Sequence, residues 1–112
     1  MTSDKWVKGL ELFRSGRYFE THEEWEDVWK AAPHAERDFY QGMVHLTVAL
    51  YQAGRGNARG ARSQMKKARR RLAAYLPAHR GVPLDKLLPE VEAAVEKVLA
   101  GGDIAGLRFR SL

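Results

Sequence analysis

The 112 residues carry 45% apolar and 29% charged side chains, enough to bury one modest core and ordinary for a globular chain. There is no cysteine, which excludes a disulfide framework, thiolate zinc ligation and a cysteine nucleophile. No apolar run is long enough to span a bilayer and no basic-then-apolar leader opens the chain, so the expectation is a single cytoplasmic domain over residues 1–112 with no membrane partner.

The net charge of +5 conceals a strong asymmetry. Residues 1–54 hold six basic and nine acidic side chains, residues 55–80 hold nine basic and none acidic, and residues 81–112 hold four basic and five acidic. An acidic front is thus followed by a basic middle and a near-neutral tail.

Ser3 is a plausible N-cap for a first helix over residues 4–15, in which Trp6, Leu10 and Phe13 recur at helical spacing and Gly16 follows as the terminating residue. A second helix is expected over 18–31, stopped before Pro33 because proline pushes its predecessor out of the α region. The third, 35–53, is apolar almost all round, as a central buried helix is. It keeps one narrow polar stripe, Asp38, Gln41, His45 and Gln52, with Gly42 and Ala49 beside it to let another helix come close. Asn57 should cap a fourth helix, 58–76, that buries Ala61, Met65, Ala68, Leu72 and Leu76 and ends at Pro77. A fifth runs over 84–100, with a bend or break expected at Pro89, and Leu107 and Phe109 of the tail are placed to dock on the core. Strand signals are nearly absent. The fold class is all-α, a compact bundle of about five helices with short antiparallel connections.

The second helix holds the densest chemistry. Glu20, Glu24 and Asp27 fall on one side, and Tyr18, His22, Trp25, Glu26 and Trp29 on the other. Counting outward from the turn near Pro33 sets Trp29 level with Asp38, Glu26 with Gln41, and His22 with His45. Three readings stay open: a buried hydrogen-bonded network in which His22 donates to Glu26 and Gln41 bridges, a metal or catalytic site, or a stripe that faces water. In the metal reading a divalent transition ion such as zinc, manganese or iron takes His22, His45 and either Glu26 or Asp38. Its bound water turns acidic, and Glu23 or the spare carboxylate is the general base, so His22, Glu23 and Glu26 are the candidate catalytic residues. Trp29, Gln41 and Gly42 would line the site, and the substrate would be a small molecule of unspecified class. The segment His22-Glu-Glu-Trp-Glu26 is close to the zinc-protease pattern His-Glu-x-x-His, but its last position is glutamate, which argues against a protease.

The basic fourth helix supports a different class of function, a non-enzymatic binding or interaction module. Arg59, Arg62, Lys66 and Arg69 are candidate anion-binding residues. No aromatic is interleaved on the charged sides and no nucleic-acid motif is evident, so a solvated or intersubunit face is the favoured reading and nucleic acid the lesser one. Small size and an aromatic front half leave room for a homodimer.

Gly16-x-Tyr/Phe-x-x-x-His22-Glu23-x-x-Glu26-x-x-Trp29, then Gln41-Gly42 before an apolar run, then Gly56-Asn57-x-x-Gly60-Ala61, resembles the bacterial and archaeal family catalogued as domain of unknown function 309. The resemblance covers roughly residues 5–76. It implies a small all-helical protein labelled as a predicted metal-dependent hydrolase, with His22, Glu23, Glu26, Trp29, Gln41 and Gly42 at the matching positions. His45 and Asp38 are added by geometry rather than by the resemblance.

Overall fold

Five helices carry the chain in the computed structural model, which describes residues 4–112: α1 (Asp4–Arg14), α2 (Tyr18–Ala31), α3 (His34–Gly54), α4 (Ala58–Leu72) and α5 (Leu84–Leu99). Short 3₁₀ turns follow α4 and α5, at Ala73–Tyr75 and Ile104–Gly106. Among the described residues there is no strand, and β pairing is limited to a bridge between His79 and Val82. The expected cap Ser3 lies outside the described residues.

The local signals explain most boundaries. Gly16 leaves α1 in the left-handed region at φ 78°, and Ala32-Pro33 separates α2 from α3. Asn57 caps α4 as expected, its side-chain oxygen accepting the Gly60 N–H at 2.9 Å. Two expectations are corrected. The fourth helix leaves α geometry at Leu72, not at Leu76, and tightens into a 3₁₀ turn where the Tyr75 hydroxyl donates to the Ala35 carbonyl (2.8 Å). The fifth helix is not interrupted at Pro89.

The central helix is α3, packed against α2, α4 and α5, while α1 packs on α2. Phe39, Met43, Leu46, Ala49 and Leu50 are fully buried along it. Its small residues do bring a neighbour close: a Cβ on Gly42 would come within 2.5 Å of Leu72 Cγ, so α4 passes directly over that position. The contact between α1 and α2 is as tight, since a Cβ on Gly9 would meet Trp25 Nε1 at 2.0 Å. The Trp25 indole donates to the Trp6 carbonyl (3.2 Å), and the two tryptophan rings stack at 4.9 Å. Trp6 and Trp25 are core residues, and Trp29 is partly buried at its edge.

Two returns close the bundle. The loop after α4 is fastened to the start of α3 by Glu36, whose carboxylate accepts from His79 Nε2 (2.9 Å) and Arg80 Nε (2.5 Å). The tail lays Phe109 against Phe13 with ring centres 5.5 Å apart, and Leu107 is half-buried beside it.

Candidate functional site

His22 and Glu26 lie one turn apart on α2, and the His22 Nε2–H donates to Glu26 Oε1 at 3.1 Å. The Lys30 ammonium stands 4.0 Å from the other Glu26 oxygen, which extends the ladder by another turn. His22 and Glu26 border the buried side of α2, which is formed by Tyr18, Thr21, Trp25 and Val28, and Lys30 is exposed. The His22 ring opens onto a cavity of about 170 Å³ lined by Phe19, Val48, Tyr51 and Gln52. Glu23 is exposed and does not line it.

That lining corrects the expected register. His22 is level with Val48 and Gln52, about a turn beyond His45, and Phe19 meets Tyr51 with ring centres 5.5 Å apart. The reason is the direction of helical side chains. Each leans toward the N-terminus of its own helix, so those of α2 lean away from the turn and those of α3 lean toward it. A side chain of α2 therefore meets one anchored further along α3 than a count of backbone positions suggests.

The rest of the α3 stripe is engaged by α4. The Arg71 guanidinium donates to Asp38 Oδ1 (2.8 Å), and the His45 Nδ1–H donates to Gln64 Oε1 (2.7 Å). Gly42 lies under Leu72 and Arg71, while Gln41 is half-buried. Burial pulls the His45 imidazole below its usual range, the bond to Gln64 opposes that shift, and Lys67, Arg71 and Arg70 add to it. The structure thus brings His22 together with Glu26 but assigns His45 and Asp38 to other partners. The divalent metal implied by the resemblance does not fit this arrangement. Among the described residues, no three His, Asp or Glu side chains are grouped to hold an ion.

The basic helix is also sorted by its neighbours. Two of the four candidate anion-binding residues are held by α5: Arg62 grips Glu96 through two bonds (3.0 and 2.7 Å), and Arg69 grips Glu92 through two (3.0 and 2.8 Å). Arg59 and Lys66, with Lys67 and Arg70, have no carboxylate partner among the described residues. Arg59, Lys66 and Arg70 are exposed. Sequence reasoning missed Gln64, Arg71, Glu92 and Glu96 as partners. A signal for the last two was present: Glu92 and Glu96 are a turn apart on the helix that returns antiparallel to α4.

No helix among the described residues is long and apolar enough to cross a membrane. The family described as "Domain of unknown function (DUF309)" matches residues 6–64. The chain belongs to that family. It is 34% identical over 92 residues to "Uncharacterized protein YpuF" of Bacillus subtilis (strain 168), a match covering 80% of this chain and 53% of that protein. The chain therefore spans about half the length of this curated relative. No solved structure matches it.

Proposed function

We propose that this member of a family without an assigned activity is a non-enzymatic helical binding module that takes an anionic partner on the outer side of α4. The observation that carries the reading is the division of α4's cations. Arg62, Arg69 and Arg71 are neutralised within the chain by Glu96, Glu92 and Asp38, whereas Arg59, Lys66, Lys67 and Arg70 have no such partner among the described residues. Four positive charges on one helix without internal counterions repel one another and lower their energy when an anion approaches. The hydrolase reading would bring His22 and His45 together with either Glu26 or Asp38, whereas His22 is bonded to Glu26 on α2 and His45 and Asp38 are bonded to Gln64 and Arg71 of α4.

The test is elution from immobilised heparin, a generic polyanion, along a salt gradient. A variant with Arg59, Lys66, Lys67 and Arg70 all changed to Gln should elute at lower salt than the parent. A control with Lys8, Lys30, Lys86 and Lys97 changed to Gln has the same net charge and should elute later than that variant. Co-elution of the two would show that only net charge matters and would end the assignment to α4.

A further inference from the structure

Arg59, Ser63, Lys66 and Arg70 are all exposed, and their spacings of four, three and four residues put them on one straight seam of α4. Arg59 and Arg70 are then about 16 Å apart along the axis at 1.5 Å per residue. Lys67 stands beside the seam on the α3 side, half-buried near His45. The opposite side of α4 is fully committed, since Ala61, Met65, Ala68 and Leu72 are buried in the core. The seam is bordered by neutralised pairs, Arg62–Glu96 and Arg69–Glu92 toward α5 and Arg71–Asp38 toward α3.

We infer that the partner of this seam is double-stranded nucleic acid, bound along its phosphate backbone without reading its sequence; the inference rests on the binding-module reading above. A rigid line of cations gains most from a polymer of dense, regular negative charge, and a duplex carries about one charge per 1.7 Å of axis. Protein surfaces mix both signs and match such a line less well. The seam lacks what other anionic polymers and surfaces would use. It has no aromatic side chain on which unstacked bases could stack, as single-strand binding requires. Among the described residues the large exposed apolar side chains are Val7, Phe19 and Leu76, none of them on α4, so the seam has no anchor for the acyl boundary of a membrane. Seating α4 deep in a groove would press Glu92, Glu96 and Asp38, which border the seam on both sides, against the phosphates of the groove walls, so the helix lies across the backbone and leaves the base edges unread.

The experiment is fluorescence anisotropy with two 24-base-pair duplexes of unrelated sequence, from 50 to 200 mM salt. Four neutralised phosphates predict a log–log salt slope of about −3.6, or about a hundredfold loss of affinity across that range. The two duplexes should bind within about threefold of each other, since phosphate contacts carry no sequence information. The Arg59→Gln/Lys66→Gln/Lys67→Gln/Arg70→Gln variant, its fold checked by circular dichroism, should lose binding at every salt concentration. A gain-of-function variant guards against a folding artefact: Glu92→Gln/Glu96→Gln releases Arg62 and Arg69 and should steepen the slope by about 2. Duplex binding that ignores all six positions would overturn the inference. So would absence of duplex binding alongside capture of phosphatidylserine vesicles or polyglutamate through the same four cations, which would leave the anionic-partner reading standing. Failure to bind any of these probes at 50 mM salt would overturn both.

Discussion

His45 is held neutral by its surroundings: it is half-buried, its Nδ1–H is spent on Gln64, and Lys67, Arg70 and Arg71 approach it from α4. Its folded pKa lies below the ordinary value of 6.5. The unfolded chain therefore binds a proton at pH values where the folded chain does not. Stability contributed by a neutral His45 is fully present above pH 6.5 and falls as the pH drops from there toward the folded pKa. Urea unfolding midpoints should fall between pH 7.5 and 5.5 in the parent and fall less in His45→Gln. Glu36 and Glu90, whose pKa values are lowered, lose their contribution only below the usual carboxylate value of 4.5. Equal slopes for parent and variant would mean that His45 protonates as readily folded as unfolded. At this scale the sequence was legible where partners are local. The spacing of His22 and Glu26 announces their hydrogen bond. The partner of His45 was hidden, because choosing between α2 and α4 as its neighbour depends on how three helices are rotated about their axes, which no local spacing encodes.

The elements themselves were easier to read, because capping residues and prolines act within a turn. The limits of α2 follow from Gly16 on one side and Ala32-Pro33 on the other, and the start of α4 follows from Asn57. The Asn57 side chain satisfies the otherwise free Gly60 N–H and also donates to Gln52 Oε1 at 3.1 Å. Asn57→Ala should lower stability by about 1 kcal/mol, the usual worth of an N-cap. Thermal or urea unfolding measures it, and a loss well under half that size would show that water caps α4 equally well. The end of α4 departs from the sequence expectation for a different reason. The stop is not imposed by Pro77 alone: Tyr75 is drawn to the Ala35 carbonyl, and His79 beyond it is held by Glu36, so a tertiary contact tightens the last turn. The same division holds for α4's charges. Its amphipathic pattern marks which side is buried, yet which arginines stay available depends on Glu92 and Glu96 of α5, 23 and 34 residues beyond the arginines they hold.

At the scale of the whole molecule, the family match ends at residue 64 while the core does not. Leu84, Leu87, Val91 and Val95 of α5 are fully buried against the earlier helices, and the tail continues the packing. Ile104, Leu107, Phe109 and Leu112 are half-buried on that core, and the Arg14 Nε–H donates to the Leu112 carbonyl (3.0 Å). The Arg110 and Ser111 backbone N–H groups donate to the Glu90 carboxylate (2.8 and 3.2 Å). The tail is thereby tied to both α1 and α5, far apart in sequence. Removing residues 103–112 should therefore weaken the entire unit rather than trim a loose end. Four half-buried apolar side chains correspond to a loss on the order of 2–4 kcal/mol at about 1.5–3 kcal/mol for each fully buried one, allowing for partial burial and a compact denatured chain. Far-ultraviolet circular dichroism should stay strongly helical, because all five helices precede the cut. The urea midpoint should fall, and the slope m should decrease slightly, since less surface remains to be exposed. The transition should remain single, because the exposed Phe13 surface belongs to the same core as α2 and α3. An unchanged midpoint would place the tail outside the cooperative unit. Two separated transitions would instead divide α5 from the 6–64 segment and end the reading of residues 1–112 as one domain.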